Sequence, residues 1–324
     1  MRAGEPGGGA KPTVAAVIPV HNGAAFVADA IESVLAQMHP VHECVVVDDG
    51  STDATAEVVG RFGAPVRLIR QANAGVATAR NRGAAESAAR YLAFLDADDA
   101  WKPDKLERQL AAAASGRALV VCDLELFDET GAVIGRVGMR PGPDTLRDMV
   151  LFEGVETVSC SSTALLERSL FDALGGFDPR LSQSADWDFL ARAWLAASVV
   201  AVPEPLVRYR VHGANMSRNV ALLERDMTYA FAKLFARDDL PDDVRASRRR
   251  AEANLHRMLA GSYFRQRAVK GFARATARSI ARDPSALRWY AAFPLRRLRA
   301  RRGAHPETVR RTASSPSAPT DSPP

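Results

Sequence analysis

Three carboxylates crowd one short turn, Asp96-Ala97-Asp98-Asp99, directly after the apolar run Tyr91-Leu92-Ala93-Phe94-Leu95. The run has the length and the aromatic and aliphatic content of a buried strand. Like charges this close repel, and a bound divalent cation relieves the repulsion. In open α/β sheets ligands sit at the carboxyl ends of strands. The cluster therefore points to a hard metal and, behind it, a phosphorylated substrate. Asp pairs also occur in ordinary turns and as helix N-caps. Trp101-Lys102-Pro103-Asp104-Lys105-Leu106 starts a helix just beyond, with Pro103 near its first turn. Taken alone, the cluster leaves metal site and plain turn open.

The elements that must position it read as an α/β alternation. Val14–Ile18 is a strand, Ala24–Gln37 a helix with one apolar face, and Cys44–Val47 a second strand ending in Asp48-Asp49-Gly50-Ser51. Ser51 or Asp53 can cap the next helix, which runs to Phe62. Val66–Ile69 is a strand, Gly75–Arg90 a helix and Tyr91–Leu95 the fourth strand. This β-α-β-α-β-α-β order with short connections predicts a mostly parallel, doubly wound sheet. Its strand ends bring Pro19-Val20-His21-Asn22-Gly23, Asp48-Asp49 and Asp96–Asp99 to one edge. The first turn has a single glycine, not GxGxxG, and there is no P-loop. Phosphate would then need metal plus a basic side chain. Arg80 is the candidate, its alternative being a solvated helix arginine.

The second half changes pattern. Leu119–Cys122 is a strand, Glu129-Thr130-Gly131 a hairpin turn, Val158–Leu166 strand-like, and Ser169–Leu174 a short helix stopped by Gly175-Gly176. Asp186–Ala197 is helical, Val199–Val202 and Leu206–Tyr209 are two short strands, and the chain is helical and Arg/Ala-rich from Ala221. The resulting domains are a disordered leader (1–12), an α/β domain (13–218, divided at 123/124), a basic helical extension (219–305) and a disordered tail (306–324).

Bulk properties set the remaining bounds. The 324 residues carry a formal net charge of +5, mostly as arginine, much of it after Arg245. Such a tail favours an anionic surface, and no aromatic-rich basic face argues for nucleic acid. Cys44, Cys122 and Cys160 form no CxxC and no disulfide framework, so they read as buried, inert thiols. No secretory signal and no membrane-length apolar run is visible, which predicts a cytoplasmic protein. Trp289–Arg302 is a basic amphipathic stretch, either lying on the anionic inner leaflet or forming a solvated helical face.

Taken together, the stretch Val14–Asp99 resembles the nucleotide-sugar-binding half of family 2 glycosyltransferases, which have the GT-A fold. Pro19-Val20-His21-Asn22 resembles the family's Pro-x-Tyr-Asn turn, with His21 for Tyr; Asp48–Asp53 matches DDGSxD; Asn73–Asn81 matches N-x-G-x-x-x-ARN; Phe94–Asp99 matches FLDxDD with its DxD metal motif. Gly175–Asp178 and Ser184–Phe189 look like the GGFD and ED-W-D-L-W segments, with Ala185 replacing Glu, and Arg208–Ser217 resembles YRxHxxNxS. The resemblance implies a mostly parallel nucleotide-binding sheet flanked by helices, with a small mixed acceptor-side sheet. It implies base recognition at Asp48 and Asp49, with Pro19, Val20, Asn22, Arg80 and Ala97 in the nucleotide-sugar site. Asp96 would face the ribose, and Asp98 would hold Mg2+ or Mn2+, with His212 near the metal or diphosphate. Asp186 would be the general base, with Asp188 as fallback and helix capping as the alternative for Asp186. Ser161, Ser162 and Trp187 would face the acceptor.

The expected activity is an inverting, metal-dependent sugar transfer from a UDP- or dTDP-sugar to a hydroxyl of a glycan, lipid-linked or small-molecule acceptor, in cell-surface polysaccharide or glycolipid synthesis. Peripheral contact with the inner membrane surface is a further expectation. Processive relatives carry membrane spans and QxxRW, whereas here Ser285 stands in the Gln position before Arg288-Trp289. A sugar nucleotidyltransferase would need a Gly-rich phosphate loop. A non-catalytic carbohydrate-binding protein would not need Asp96, Asp98 and Asp186 together.

Overall fold

The computed structural model describes residues 11–113, 118–138, 141–153, 161–213 and 219–291. Most of the leader, the tail and Cys160 lie outside the described residues. Strands β1 (Val14–Val20), β2 (Glu43–Asp49), β3 (Val66–Gln71) and β4 (Tyr91–Phe94) pair in parallel in the order β3-β2-β1-β4. Helices α1 (Val27–Leu35), α2 (Thr55–Val59) and α3 (Val76–Ala85) connect them. Every residue of β1 is buried, as expected of a parallel strand covered on both faces. Alternate side chains then feed two cores. Val14, Ala16 and Ile18 meet α1, while Ala15 and Val17 join Phe94, Phe171, Phe177 and Trp187. α3 lies close over β1, since a Cβ on Gly83 would stand 2.4 Å from Val17 Cγ1.

The acceptor-side strands continue this sheet instead of forming a second one. β8 (Leu165–Glu167) pairs antiparallel with β4, then β6 (Ala118–Phe127), β9 (Ser198–Arg210) and β5 (Ala100–Trp101) follow. β7 (Val133–Val137) forms a hairpin with β6 through the turn expected at residues 129–131. Among the described residues the result is an α/β fold with one nine-stranded sheet, parallel at one end and mixed at the other. The two short strands expected over residues 199–209 are one strand, β9. Pro203 and Pro205 break its apolar pattern, and the ladder with β6 absorbs them by a register shift at Cys122–Leu124. The helix expected to reach Arg90 stops at Ala85, where the Ser87 hydroxyl takes up the Ala89 amide.

Helices α4 (Lys105–Ala112), α5 (Thr145–Leu151), α6 (Arg168–Ala173) and α7 (Ala185–Ala196) cover the mixed end. Gly175 and Gly176, at φ 72° and 68°, end α6 in the left-handed region glycine tolerates. Helices α8 (Val220–Phe235), α9 (Asp242–Ala246), α10 (Arg248–Arg265), α11 (Val269–Arg282) and α12 (Ala286–Ala291) follow. Their inner faces share one apolar cluster with the sheet, from Ala15 to Ala275. Cys44 and Cys122 are free and buried, and burial lifts their thiols to about 12 and about 11. Among the described residues no helix is long and apolar enough to cross a membrane.

Candidate functional site

The turns after β1, β2 and β4 meet at one edge of the sheet, because parallel pairing puts all three carboxyl ends there. Val20 and Ala97 both approach Gly23, where an added Cβ would meet them at 2.5 and 3.7 Å. Pro19 and Val20 are buried, while Asn22 is exposed at φ 53°. The Asn22 side-chain oxygen takes the Thr52 amide at 2.8 Å, and its own amide donates to the Ser51 hydroxyl at 2.9 Å. Ser51 therefore serves the first turn, while Asp53 takes the amide of Thr55 at the start of α2, at 3.0 Å.

Asp48 and Asp49 are buried, with their oxygens already occupied. Asp48 accepts from the Ser51 amide at 2.8 Å and from Arg70 at 3.0 Å. Asp49 accepts from the Gln71 side chain and the Ala74 and Gly75 amides, each at 2.8 Å. What reaches solvent beside them is His21, Asn22, Asn73 and the Arg70 side chain. Asn73 opens the N-x-G-x-x-x-ARN match, whereas Arg70 had no special status in the sequence. Arg70 sits opposite Asp48 in the β2–β3 register, which a topology-aware reading can extract.

The second acidic turn is arranged differently. Arg80, only 3% exposed, comes off α3 and forks. One nitrogen donates to Asp96 at 2.7 Å and another to Asp186, near the start of α7, at 2.6 Å. Its guanidinium also lies 5.2 Å from the centre of the Phe177 ring. The Ser161 amide donates to the other Asp186 oxygen at 3.1 Å. Ser184 holds the cap position and α7 begins at Ala185, so Asp186 lies inside the first turn with its oxygens on Arg80 and Ser161 and is not the capping residue. Burial pushes the Asp186 carboxyl above its usual range, Arg80 pulls against this, and the charge on Asp96 adds to it.

Asp98 faces His212, with Nε2 and a carboxylate oxygen 2.9 Å apart, and its carbonyl accepts from Arg210 at 3.1 Å. Burial raises the Asp98 carboxyl and Asp96 raises it further, while the His212 hydrogen bond opposes both. Asp99 is 1% exposed and accepts from the Ser162 hydroxyl at 2.6 Å and the Arg210 amide at 3.1 Å. It therefore anchors the turn to neighbouring segments and does not cap the helix beyond. Arg210, the Arg of the YRxHxxNxS match, to which no role was given, lies on β9 beside Phe127, as does Arg208 two residues earlier on the same strand face.

Four expectations are corrected. Ser161 and Ser162 do not begin a strand: Ser161–Thr163 is a single 3-10 turn, and 154–160 lies outside the described residues. Ser162 is fully buried, its hydroxyl tied to the Asp96 amide and to Asp99, so it builds the acidic turn and has no surface for an acceptor. Trp187 is 5% exposed and stacks on Phe231 at 5.0 Å, because its position on α7 faces the core. Asp188, the fallback base, is closed off between Arg192 at 2.8 Å and Lys233 at 2.9 Å. Asn81, unmarked by charge, holds the GGFD segment, giving to the Phe177 carbonyl at 2.8 Å and accepting its amide at 2.9 Å.

Among the described residues no group of three or more His, Cys, Asp or Glu side chains could hold a metal. Asp98 and His212 nevertheless fit a cation that completes its shell elsewhere. One hard oxygen and one imidazole nitrogen sit together, beside carboxylates whose mutual repulsion is only partly answered. Mg2+ in particular takes one or two carboxylates and fills the rest with phosphate oxygens and water.

The family model described as glycosyl transferase family 2 matches residues 15–175. The succinoglycan biosynthesis protein ExoO of Rhizobium meliloti is 32% identical over 311 residues, covering 90% of this chain and 88% of that protein. Among solved structures, S. aureus TarS 1-349 in complex with UDP-GlcNAc superposes with a TM-score of 0.61 at 17% identity, over 83% of this chain and 81% of that one. The mannosyltransferase PcManGT from Pyrobaculum calidifontis, in complex with GDP-Man and Mn2+, gives 0.60 at 20% identity, over 88% and 80%. At these identities the structures speak for a shared fold.

Proposed function

Because this chain belongs to glycosyl transferase family 2 and is a sugar-transferring enzyme, we propose that it is a GT-A, metal-dependent, inverting and non-processive transferase acting on a nucleotide diphosphate sugar. The observation that carries this reading is the Arg80 fork, which holds Asp96 and Asp186 at 2.7 and 2.6 Å although they are 90 positions apart in the chain. A donor-side acid and a candidate base thereby face one site.

In this reading the donor lies over the ends of β1, β2 and β4. The turns at Pro19–Asn22 and Asp48–Asp49 form the nucleobase side. Asp48 and Asp49 act through the loop they hold, and the polar surface is supplied by Asn22, Asn73 and Arg70. Asp96 and Ala97 line the ribose side. Asp98 and His212 would hold Mg2+ or Mn2+, which as a Lewis acid screens the charge of the departing diphosphate. Asp186 accepts the proton of the acceptor hydroxyl through the lone pairs left free of Arg80 and Ser161. The hydroxyl oxygen attacks the anomeric carbon from the face opposite the nucleotide. The new C–O bond forms as the bond to the diphosphate breaks, the electron pair leaves with the diphosphate, and the configuration inverts. Orientation of the two substrates supplies much of the rate. Ser161 is 4% exposed as well, and in this reading it serves the base by holding Asp186 through its amide instead of meeting the acceptor. Residues 13–123 form the donor half and 124–218 the acceptor half. UDP- or dTDP-sugars are the favoured donors, and a glycan or lipid-linked hydroxyl in cell-surface polysaccharide synthesis is the favoured acceptor.

The test is release of free nucleoside diphosphate from a panel of UDP-, dTDP- and GDP-sugars, with Mn2+ and with a chelator, for the wild type and Asp98→Ala. Release that requires the cation and collapses in Asp98→Ala is expected. Undiminished release in Asp98→Ala would sink the metal assignment while leaving the transferase reading intact.

A further inference from the structure

We propose that the outer face of α11, with the corner joining it to α10, is a docking surface for an anionic phospholipid bilayer. α11 turns Gly271, Ala275 and Ser279 inward against α10. The two helices are in close contact, since a Cβ on Gly271 would meet the Tyr263 ring at 2.5 Å and the Ser279 hydroxyl donates to the Ala253 carbonyl at 2.9 Å. The opposite face is therefore outward. On it Val269 heads a column of exposed alanines, Ala273, Ala277 and Ala281, and the column Lys270, Arg274, Arg278 and Arg282, also exposed, runs along its flank about 100° from the buried residues. Between residues 248 and 291 eleven Arg and Lys side chains stand against two acids, Glu252 and Asp283. Part of this charge is answered locally: Glu224 of α8 takes both Arg274 and Arg278, at 2.6 and 2.9 Å, and Glu252 takes Arg282. Arg248 and Arg250 are paired too, with Glu252 at 2.9 Å and Glu153 at 2.7 Å, so the charge of this surface rests on the exposed Arg265, Arg267 and Lys270 at the corner.

The corner concentrates the signal. Arg267 adopts φ 58° and turns the chain between the helices, leaving Arg265, Arg267 and Lys270 exposed around Val269. Val269 is 76% exposed, the highest value for a large hydrophobic side chain among the described residues, and Leu287 on α12 is 59% exposed. Phe264 and Phe272 pack behind the corner with ring centres 5.5 Å apart. Cations surrounding an exposed apolar side chain suit the boundary between lipid headgroups and acyl chains. A nucleic acid would be met by cations without an exposed aliphatic anchor and with stacking aromatics. The basic stretch Trp289–Arg302, expected at the inner leaflet, lies outside the described residues from 292 onward, and the surface identified on α11 does not depend on it. Nor does it depend on which sugar is moved.

The experiment is co-sedimentation of the full chain with vesicles of phosphatidylcholine alone or mixed with phosphatidylglycerol, at low and high salt. Partition into the anionic vesicles is expected to exceed that into neutral ones by roughly tenfold or more and to fall as salt rises. The combined variant Arg265→Gln, Arg267→Asn, Lys270→Gln should lower partition roughly a hundredfold, at about 1 kcal/mol per basic side chain near the surface. Val269→Asp should lower it roughly tenfold. These positions are solvent-exposed, so unchanged thermal unfolding is the control. Equal partition into neutral and anionic vesicles, or full partition of the combined variant, overturns the proposal. So does binding of a duplex oligonucleotide by a wild type that ignores both vesicles.

Discussion

Asp48-Asp49 ends β2 and Asp96–Asp99 follows β4, on either side of β1, and in the sequence the two turns look like the same device. Their surroundings separate them. Asp49 is met by two backbone amides and an amide side chain, and Asp48 by a backbone amide and Arg70. These donors are fixed by the fold, and the carboxylates bind the β2 turn to the loop before α3. In the second turn, burial and mutual repulsion push Asp98 and Asp99 up, and Arg80 must be shared with Asp186. Negative charge answered by the chain is architecture. Negative charge left partly unanswered at the end of a strand is where a ligand can supply the missing positive charge.

The largest effect that sharpens this contrast is expected at Asp186. Asp186→Asn preserves shape and can still accept from Ser161, but it cannot take a proton. Turnover should fall by roughly 10²–10⁴, the usual contribution of a general base, while stability falls only by the cost of turning the new amide nitrogen toward Arg80, about 1–3 kcal/mol. Turnover within threefold of wild type (about 0.6 kcal/mol) would remove Asp186 from the chemistry.

A second break point is the pH dependence. Burial raises the Asp186 carboxyl, so it takes up a proton at higher pH than an ordinary aspartate, near 3.9. A protonated acid is no base, so kcat falls as pH drops through that raised value. Arg80 is the positive charge that opposes the rise. Arg80→Met should therefore move the acidic limb of the kcat profile upward by roughly one unit or more. An unmoved limb, with kcat lowered equally at every pH, would mean that Arg80 only holds the halves together.

What was legible in the sequence follows the same division. The parallel strands announced themselves because both faces are buried, leaving continuous apolar runs such as Val14–Ile18, and their order fixed which turns share an edge. The acids of the site were visible as types. Their states were not, because these depend on residues far off in the chain: Asn81 on Phe177, Arg210 on Asp99, Lys233 on Asp188. Trp187 and Ser162 show the limit most clearly. Each lies within two residues of a candidate functional group, yet one faces the core and the other is sealed beneath the acidic turn. Chain proximity carried no information about direction there, since α7 turns about 100° per residue and Ser162 lies in a tight turn instead of the expected strand.

The smallest effect is also the most direct test of the two-turn contrast. Asp49→Asn replaces a carboxylate that accepts three hydrogen bonds with an amide whose nitrogen must face one of those donors. Leaving a buried donor unmatched costs about 1–3 kcal/mol, so Tm should drop by several degrees. The loop at Asn73–Gly75 should loosen and donor KM should rise severalfold, while kcat at saturation stays within about threefold, because no group at the second turn has changed. Asp98→Asn should behave in the opposite way. It removes one of the mutually repelling charges, so Tm should be no lower than wild type while kcat collapses. If Asp49→Asn instead abolished kcat at unchanged Tm, the β2 turn would be taking part in the reaction, and the separation between an architectural and a chemical acidic turn would fail.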